Sequence, residues 1–242
     1  MKTYEWILFD ADETLFNFDS FDGLQRLLSR FEVNFTQQDY QAYQVFNKSL
    51  WVDYQNGTIT AQELQHQRFA IWADQFQVST QVLHSTFMAI MADICTPIEG
   101  AQSLLTSLKG RVKLGIITNG FTELQQIRLE RTGFQTYFDL LVISEQVGFA
   151  KPHRGIFEHA LSLMGNPARG QVLMVGDNPD SDILGGLNAG LDTCWFNAHN
   201  HPISPGLTPK YQVSSLAELE TLLLGEKKVI SAPDKVAVTD MI

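Results

Sequence analysis

Short apolar runs alternate with helical segments from Pro97 onward, and this alternation limits the possible fold more than any other feature. The apolar runs fall over residues 112–118, 140–144, 172–176, 193–196 and, briefly, 212–213. The helical segments fall over residues 101–108, 122–132, 155–163, 180–189 and 215–224. Repeated strand–helix alternation implies a mostly parallel sheet with helices on both faces. We therefore predict an α/β, Rossmann-like fold, in which right-handed crossovers bring the strand ends to one edge.

A long helical insertion separates the first strand from the rest of this pattern. Trp6 to Phe9 form a continuous apolar run, typical of a strand that is covered on both faces. Residues 16–95 contain four segments with helical spacing or capping signals and no strand pattern. We predict a core domain of residues 1–15 and 96–225, an inserted four-helix cap domain of residues 16–95, and a loosely ordered C-terminal extension of residues 226–242.

Two carboxylates and a hydroxyl follow the first strand directly. Asp10, Asp12 and Thr14 form a DxDxT string at the strand end, where open α/β sheets bind their ligands. Two carboxylates so close cannot both ionise cheaply without a cation or a shared proton. A divalent metal or an acid/base role is therefore expected here. Ordinary turn and helix-capping residues are the alternative explanation.

Matching polar groups follow three later strands. Thr118 and Asn119 precede a glycine and offer donors for a phosphoryl oxygen, although Asn-Gly is also a common turn. Lys151 would hold a phosphate if it pointed at the carboxylates, and would otherwise be a solvated surface charge. Asp177 and Asp182 follow the fourth strand, where helix-dipole stabilisation alone could also explain acids.

Composition excludes several functional classes. The formal net charge of -10 argues against binding to nucleic acid polymers or anionic membranes, because both are negatively charged. The two cysteines, Cys95 and Cys194, form no disulfide framework, and no apolar stretch approaches the roughly 20 residues that span a bilayer. The N-terminus lacks the pattern of a signal peptide. We expect a cytoplasmic protein whose partner is a small molecule.

The ordered set of four motifs resembles the haloacid dehalogenase superfamily with a helical cap after the first strand. These motifs are DxDxT, Thr-Asn-Gly, Lys-Pro and GDxxxxD, each after a predicted strand. The resemblance covers residues 1 to about 225. The opening LFDADETLFNFD and the block GDNPDSDILGGLNAGLDTCWFN look most like the small cytosolic pyrimidine 5'-nucleotidases of that group.

The resemblance implies a phosphatase mechanism at the first motif. Asp10 would be the nucleophile that forms an aspartyl-phosphate. Asp12 would protonate the leaving oxygen and then take a proton from water. Mg²⁺, replaceable by Mn²⁺ or Co²⁺, would be held by Asp10, by the backbone carbonyl of Asp12 and by Asp177.

The resemblance also gives roles to the remaining motif residues. Thr118 and Asn119 would donate to the phosphoryl oxygens, and Lys151 would neutralise charge between nucleophile and phosphate. Asp182 would orient Lys151 or a metal-bound water. The expected substrate is a pyrimidine nucleoside 5'-monophosphate, and the expected assembly is a monomer or homodimer.

The cap is expected to act as a lid that excludes water and contacts the leaving group. Candidate contacts are Asn17, Phe18, Trp51, Tyr54 and Phe121. Packing of the insertion's own core is the favoured explanation for such aromatic residues, so none is assigned to the site.

Other functions on the same scaffold remain open. One is a phosphatase for another small phosphoester, such as a sugar phosphate or phosphoglycolate. Another is a non-catalytic binding module, which would be expected to have lost Asp10, Asp12 or Lys151. A haloacid dehalogenase has no use for Asp12 or for a metal.

Overall fold

The computed structural model describes residues 3–225 and contains one six-stranded, fully parallel sheet. The strand order is β3-β2-β1-β4-β5-β6. The strands are β1 Trp6–Phe9, β2 Lys113–Thr118, β3 Leu140–Ile143, β4 Val172–Gly176, β5 Asp192–Phe196 and β6 Tyr211–Val213. This arrangement confirms the predicted α/β class. The predicted C-terminal extension, residues 226–242, lies outside the described residues.

Helices connect the strands and cover both faces of the sheet. Those after the insertion are α6 Ala101–Leu108, α7 Thr122–Thr132, α8 Ser144–Val147, α9 Arg154–Leu163, α10 Leu184–Asn188 and α11 Leu216–Leu224. The short helix α8 was not predicted. The predicted helix over residues 180–189 begins instead as a π-helical turn, Pro179–Ile183, and continues as α10.

Alternation along each strand divides the core into two apolar layers. Ile7 and Phe9 of β1 pack in one layer with side chains of α6 and α11. Leu8 lies in the opposite layer with Phe157 and Leu161 of α9. Successive side chains of a strand point to opposite faces, so a strand covered on both sides must be apolar throughout. This is why the run Trp6–Phe9 is fully buried.

The insertion between β1 and β2 is entirely helical within the described residues. Its helices are α1 Ser20–Ser29, α2 Gln37–Gln55, α3 Ala61–Gln67, α4 Ala70–Phe76 and α5 Thr80–Ile94. The predicted number of four was wrong, because the third predicted helix breaks at Arg68 and Phe69. Phe69 has φ of -113° and ψ of 0°, outside the helical region, and its side chain is buried among the cap helices.

The cap helices share an apolar core that is distinct from the two layers on the sheet. That core includes Leu24, Leu64 and Phe87, and it meets the sheet domain at Phe121, Leu124 and Ala150. This separate core supports the proposed division into a cap and an α/β domain. No helix in the described part of the chain is both long and apolar enough to cross a membrane.

Candidate active site

Three neighbouring strands end around one cavity. The order β2-β1-β4 and the pairing of Phe9 with Ile116 and Val175 place Asp10 between Thr118 and Asp177. All three residues line a cavity of about 240 Å³, together with Lys151. Parallel strands expose their carboxyl ends at the same edge, so the sequence motifs that follow these strands meet there.

Lys151 is buried at the centre of this arrangement, with only 2% of its surface exposed. Its Nζ lies 2.5 Å from Asp10 Oδ1 and 2.7 Å from Asp182 Oδ1. It also donates to the main-chain carbonyl of Ile117 at 2.8 Å. The lysine is therefore no solvated surface charge, and it contacts the carboxylates of both Asp10 and Asp182.

Asn119 holds the main chain of Lys151. Its Oδ1 accepts from the Lys151 N–H at 2.7 Å, and its Nδ2 donates to the Lys151 carbonyl at 2.9 Å. The side-chain amide of Asn119 is thus already used, which leaves its main-chain N–H as the candidate donor to a phosphate. Thr118 is buried, and its hydroxyl oxygen accepts from the Gly120 N–H at 3.0 Å. The hydroxyl proton of Thr118 remains available to a ligand.

Asp177 is fixed by a residue to which the sequence analysis gave no role. Thr14, the last residue of the DxDxT string, donates its hydroxyl to Asp177 Oδ1 at 3.2 Å and accepts the Asp177 N–H at 3.0 Å. The Trp195 indole donates to the Asp177 carbonyl at 2.8 Å. The spacing of Thr14 from Asp10 was the available signal, but it does not reveal which later strand lies beside it.

Burial and mutual repulsion dominate the electrostatics of the site. Burial, reinforced by Asp182 and Asp12 and opposed by Lys151, raises the pKa of Asp10 to about 7. Burial, reinforced by Asp182 and Asp10, raises the pKa of Asp177 to about 8. Burial alone would lower the pKa of Lys151, but the attraction of Asp10 and Asp182 outweighs it, so that pKa is raised.

The carboxylate cluster fits a hard divalent cation. One oxygen each from Asp10, Asp177 and Asp182 lie within 4.8 Å of one another. Carboxylate oxygens are the ligands that Mg²⁺ prefers, and a single lysine cannot neutralise three acids. The raised pKa values of Asp10 and Asp177 indicate the same need for positive charge.

Asp12 lines the same cavity but is not part of this cluster, and its carboxylate binds a buried arginine. Arg128 Nη1 donates to Asp12 Oδ1, and Gln125 accepts from the same guanidinium. Arg128 also stacks on Phe16, with 4.6 Å between Cζ and the ring centroid. The sequence analysis missed Arg128. Its position four residues after Leu124, on the apolar face of α7, was the available signal.

Two glycines in the motifs are required by close packing. A Cβ at Gly120 would lie 2.3 Å from Gln125 Nε2 and 3.3 Å from Asp12 Oδ2. A Cβ at Gly176 would lie 2.2 Å from Asp182 Oδ2. A side chain at either position would displace a residue of the site.

The cap supplies the wall opposite the strand ends. Of the five candidate contacts, Phe18, Trp51 and Phe121 line the cavity. Asn17 donates instead to Thr96 Oγ1 at 3.0 Å, and Tyr54 donates to Ser144 Oγ at 2.7 Å. The cap also contributes Arg68, which the sequence analysis did not single out.

Hydrogen bonds join the cap to the α/β domain beside the cavity. Besides Tyr54, Gln65 of α3 donates to Glu145 Oε1 at 2.7 Å. Glu145 in turn accepts the N–H of Thr122 at 2.8 Å, at the start of α7. The cap is therefore seated on the loops that carry the site.

Comparison with known proteins agrees with this geometry. A profile of haloacid dehalogenase-like hydrolases matches residues 4–190. The chain is 60% identical over 220 residues to the pyrimidine 5'-nucleotidase YjjG of Escherichia coli strain K12, covering 91% of this chain and 98% of that protein. It is 34% identical over 221 residues to the pyrimidine 5'-nucleotidase PynA of Streptococcus pneumoniae, covering 89% and 93% of the two chains.

A solved structure supports the same assignment. The HAD-hydrolase YfnB of Bacillus subtilis, solved bound to magnesium, superposes with a TM-score of 0.82 at 28% identity, covering 92% of this chain and 99% of that one. The shared fold, the four strand-end motifs and the family profile all agree. The chain therefore belongs to the haloacid dehalogenase-like hydrolase family.

Proposed function

We propose that this protein is a Mg²⁺-dependent phosphomonoesterase that hydrolyses pyrimidine nucleoside 5'-monophosphates to nucleoside and phosphate. The observation that carries the proposal is the meeting of Asp10, Lys151 and Asp177 at one sheet edge, beneath a cavity that the cap closes. The two pyrimidine 5'-nucleotidases similar to this chain support the substrate class.

The first chemical step is attack on phosphorus by Asp10. One carboxylate oxygen of Asp10 forms a bond to phosphorus, and the ester bond to the leaving oxygen breaks. Lys151, bonded to Asp10 Oδ1, neutralises charge between nucleophile and phosphate. Thr118 and the main-chain N–H of Asn119 donate to phosphoryl oxygens. The cation, held by Asp10, Asp177 and the Asp12 carbonyl, would supply charge stabilisation, and Mn²⁺ or Co²⁺ would substitute for Mg²⁺.

Asp12 moves the protons in both halves of the reaction. It gives a proton to the departing ester oxygen, then takes one from the water that attacks the aspartyl-phosphate. That second attack releases phosphate and restores Asp10. Because Arg128 binds Asp12 Oδ1, the other carboxylate oxygen, Oδ2, is the one that exchanges the proton. Arg128 is a positioning residue in this scheme.

A phosphate-release screen tests the proposal. The purified protein would be assayed against UMP, TMP, CMP, AMP, ribose 5-phosphate and phosphoglycolate, with Mg²⁺ and with a chelator. We expect the highest kcat/KM on a pyrimidine nucleotide, and loss of activity with the chelator that added Mg²⁺ restores. A clear preference for ribose 5-phosphate or phosphoglycolate would replace the nucleotidase with another phosphatase. Activity that is indifferent to chelation would contradict the metal site.

A further inference from the structure

Arg68 is a buried cation that the proposed mechanism does not use. It lies at the break between α3 and α4, and only 6% of its surface is exposed. Its guanidinium carbon lies 4.8 Å, 5.4 Å and 4.9 Å from the ring centroids of Phe69, Phe87 and Phe121. These rings replace the water around the charge with aromatic faces.

The guanidinium of Arg68 has more donors than partners. Nη2 lies 3.0 Å from His84 Nδ1, and Nε has no hydrogen-bond partner among residues 3–225. No carboxylate within the described residues forms an ion pair with it. Asp39, which borders a second cavity beside Arg68, is already used to cap α2.

His84 cannot supply the missing negative charge. Burial, with repulsion by Arg68 and His66, lowers its pKa to about 3, so the imidazole is neutral near pH 7. It is an acceptor for one N–H of the guanidinium, which has five. A buried cation without an anion destabilises the free protein. Such a loss of stability is expected of a residue that is retained because it binds a ligand.

Arg68 reaches the same cavity as the nucleophile, from the cap side. Lys151 and Asp10 form the phosphate end of that cavity, on the strand ends. Arg68 lines the same cavity together with Trp51 and Phe121, and the ring centroids of Trp51 and Phe121 are 5.4 Å apart. A substrate held by its phosphate at Lys151 therefore shares its cavity with a hydrogen-bond donor and with aromatic faces.

We propose that Arg68 reads the base, donating a hydrogen bond to a ring carbonyl oxygen of the pyrimidine while Trp51 and Phe121 pack against the ring. This inference rests on the nucleotidase function proposed above. A guanidinium offers donors only. Uracil and thymine each carry two carbonyl oxygens, cytosine carries one and adenine none. The expected order of preference is UMP and TMP, then CMP, then AMP.

The test compares substrates with and without a base in Arg68→Met and in the control Arg26→Met. Arg26 is an exposed cap arginine paired with Asp22, far from the cavity lining. We expect the ratio of kcat/KM for UMP to that for ribose 5-phosphate to fall about 10- to 100-fold in Arg68→Met, the loss of one hydrogen bond to a charged group. The ratio should stay within about twofold in Arg26→Met. Arg68→Lys should fall between wild type and Arg68→Met.

A melting experiment without substrate separates this role from a structural one. Removing an unpaired buried charge should leave the melting temperature of Arg68→Met unchanged or raise it. A lower melting temperature together with equal losses on UMP and ribose 5-phosphate would overturn the inference while leaving the nucleotidase intact. A loss that is greatest on phosphoglycolate would show that Arg68 binds an anion instead of a base. A wild type inactive on every nucleotide would sink both proposals.

Discussion

Protonation of His84 should limit the stability of the cap at mildly acidic pH. The side chain is 3% exposed, and burial, with Arg68 and His66 nearby, lowers its pKa from 6.5 to about 3. Glu123 Oε2 lies 4.0 Å from Nε2, but its side chain is 39% exposed and too well solvated to offset burial. His84 therefore takes up a proton near pH 6.5 in the unfolded chain but only near pH 3 in the folded chain.

The sign and size of the effect follow from proton linkage. Because the pKa of His84 is lower in the folded protein, its contribution to the free energy of unfolding is complete above pH 6.5. That contribution is lost as the pH falls toward 3. Each pH unit in that window costs about 1.4 kcal/mol. Between about pH 7.5 and about pH 5, His84 alone should remove about 2 kcal/mol from the free energy of unfolding.

The variant His84→Asn isolates this contribution. The Asn Oδ1 can replace Nδ1 as the acceptor for Arg68, but the amide does not titrate. Urea-induced unfolding of both proteins at several pH values should show the wild type losing about 2 kcal/mol more than the variant by about pH 5. The exposed His159→Asn serves as the matched control and should follow the wild-type pH profile. Parallel pH profiles for wild type and His84→Asn would refute the reasoning.

Three further predictions concern the catalytic motifs. Asp10→Asn should abolish phosphate release, because the amide cannot form the aspartyl-phosphate. The circular dichroism spectrum should stay native, because the amide keeps the shape of the side chain and Asp182 still pairs with Lys151. Wild-type rates would reject the nucleophile. Asp12→Asn should lower kcat by about 10²- to 10⁴-fold, measured under saturating substrate, whereas a dehalogenase would have no need of this acid. Thr14→Val should raise the Mg²⁺ concentration for half-maximal activity about 10- to 100-fold, because Asp177 loses its hydroxyl donor. An unshifted Mg²⁺ activation curve would remove Thr14 from the metal site.

The arrangement of strands and the polar groups at the strand ends could be predicted from sequence because both depend on local patterns. A strand covered on both faces must be apolar at every position, so the sequence alone indicates that Trp6–Phe9 is such a strand. Parallel strands must end at one edge, so the residues after β1, β2 and β4 were expected to converge. Asp10 and Asp177 follow their strands directly and Thr118 is the last residue of its strand, so no long-range information was needed to place them.

Partners that come from distant segments were not predictable in the same way. Arg128 binds Asp12 across 116 positions of sequence, and its place on the apolar face of α7 does not show which residue is its partner. Asn119 was expected to bind phosphate with its side chain, but that amide is engaged by the main chain of Lys151. Which of several possible partners a polar side chain takes depends on how the elements dock, not on its own neighbours in sequence.

The cap shows most clearly what tertiary packing decided. Its helical nature follows from spacing and from the capping residues Thr36 and Thr60. The break at Phe69 does not, because burying that ring in the cap core outweighs the continuity of one helix. Arg68, at this break, lies buried among aromatic rings and lines the cavity that Asp10 also lines. Local sequence pattern thus determined which polar groups lie at the strand ends. Docking of the cap decided which side chains face those groups, because burial is a property of the assembled chain.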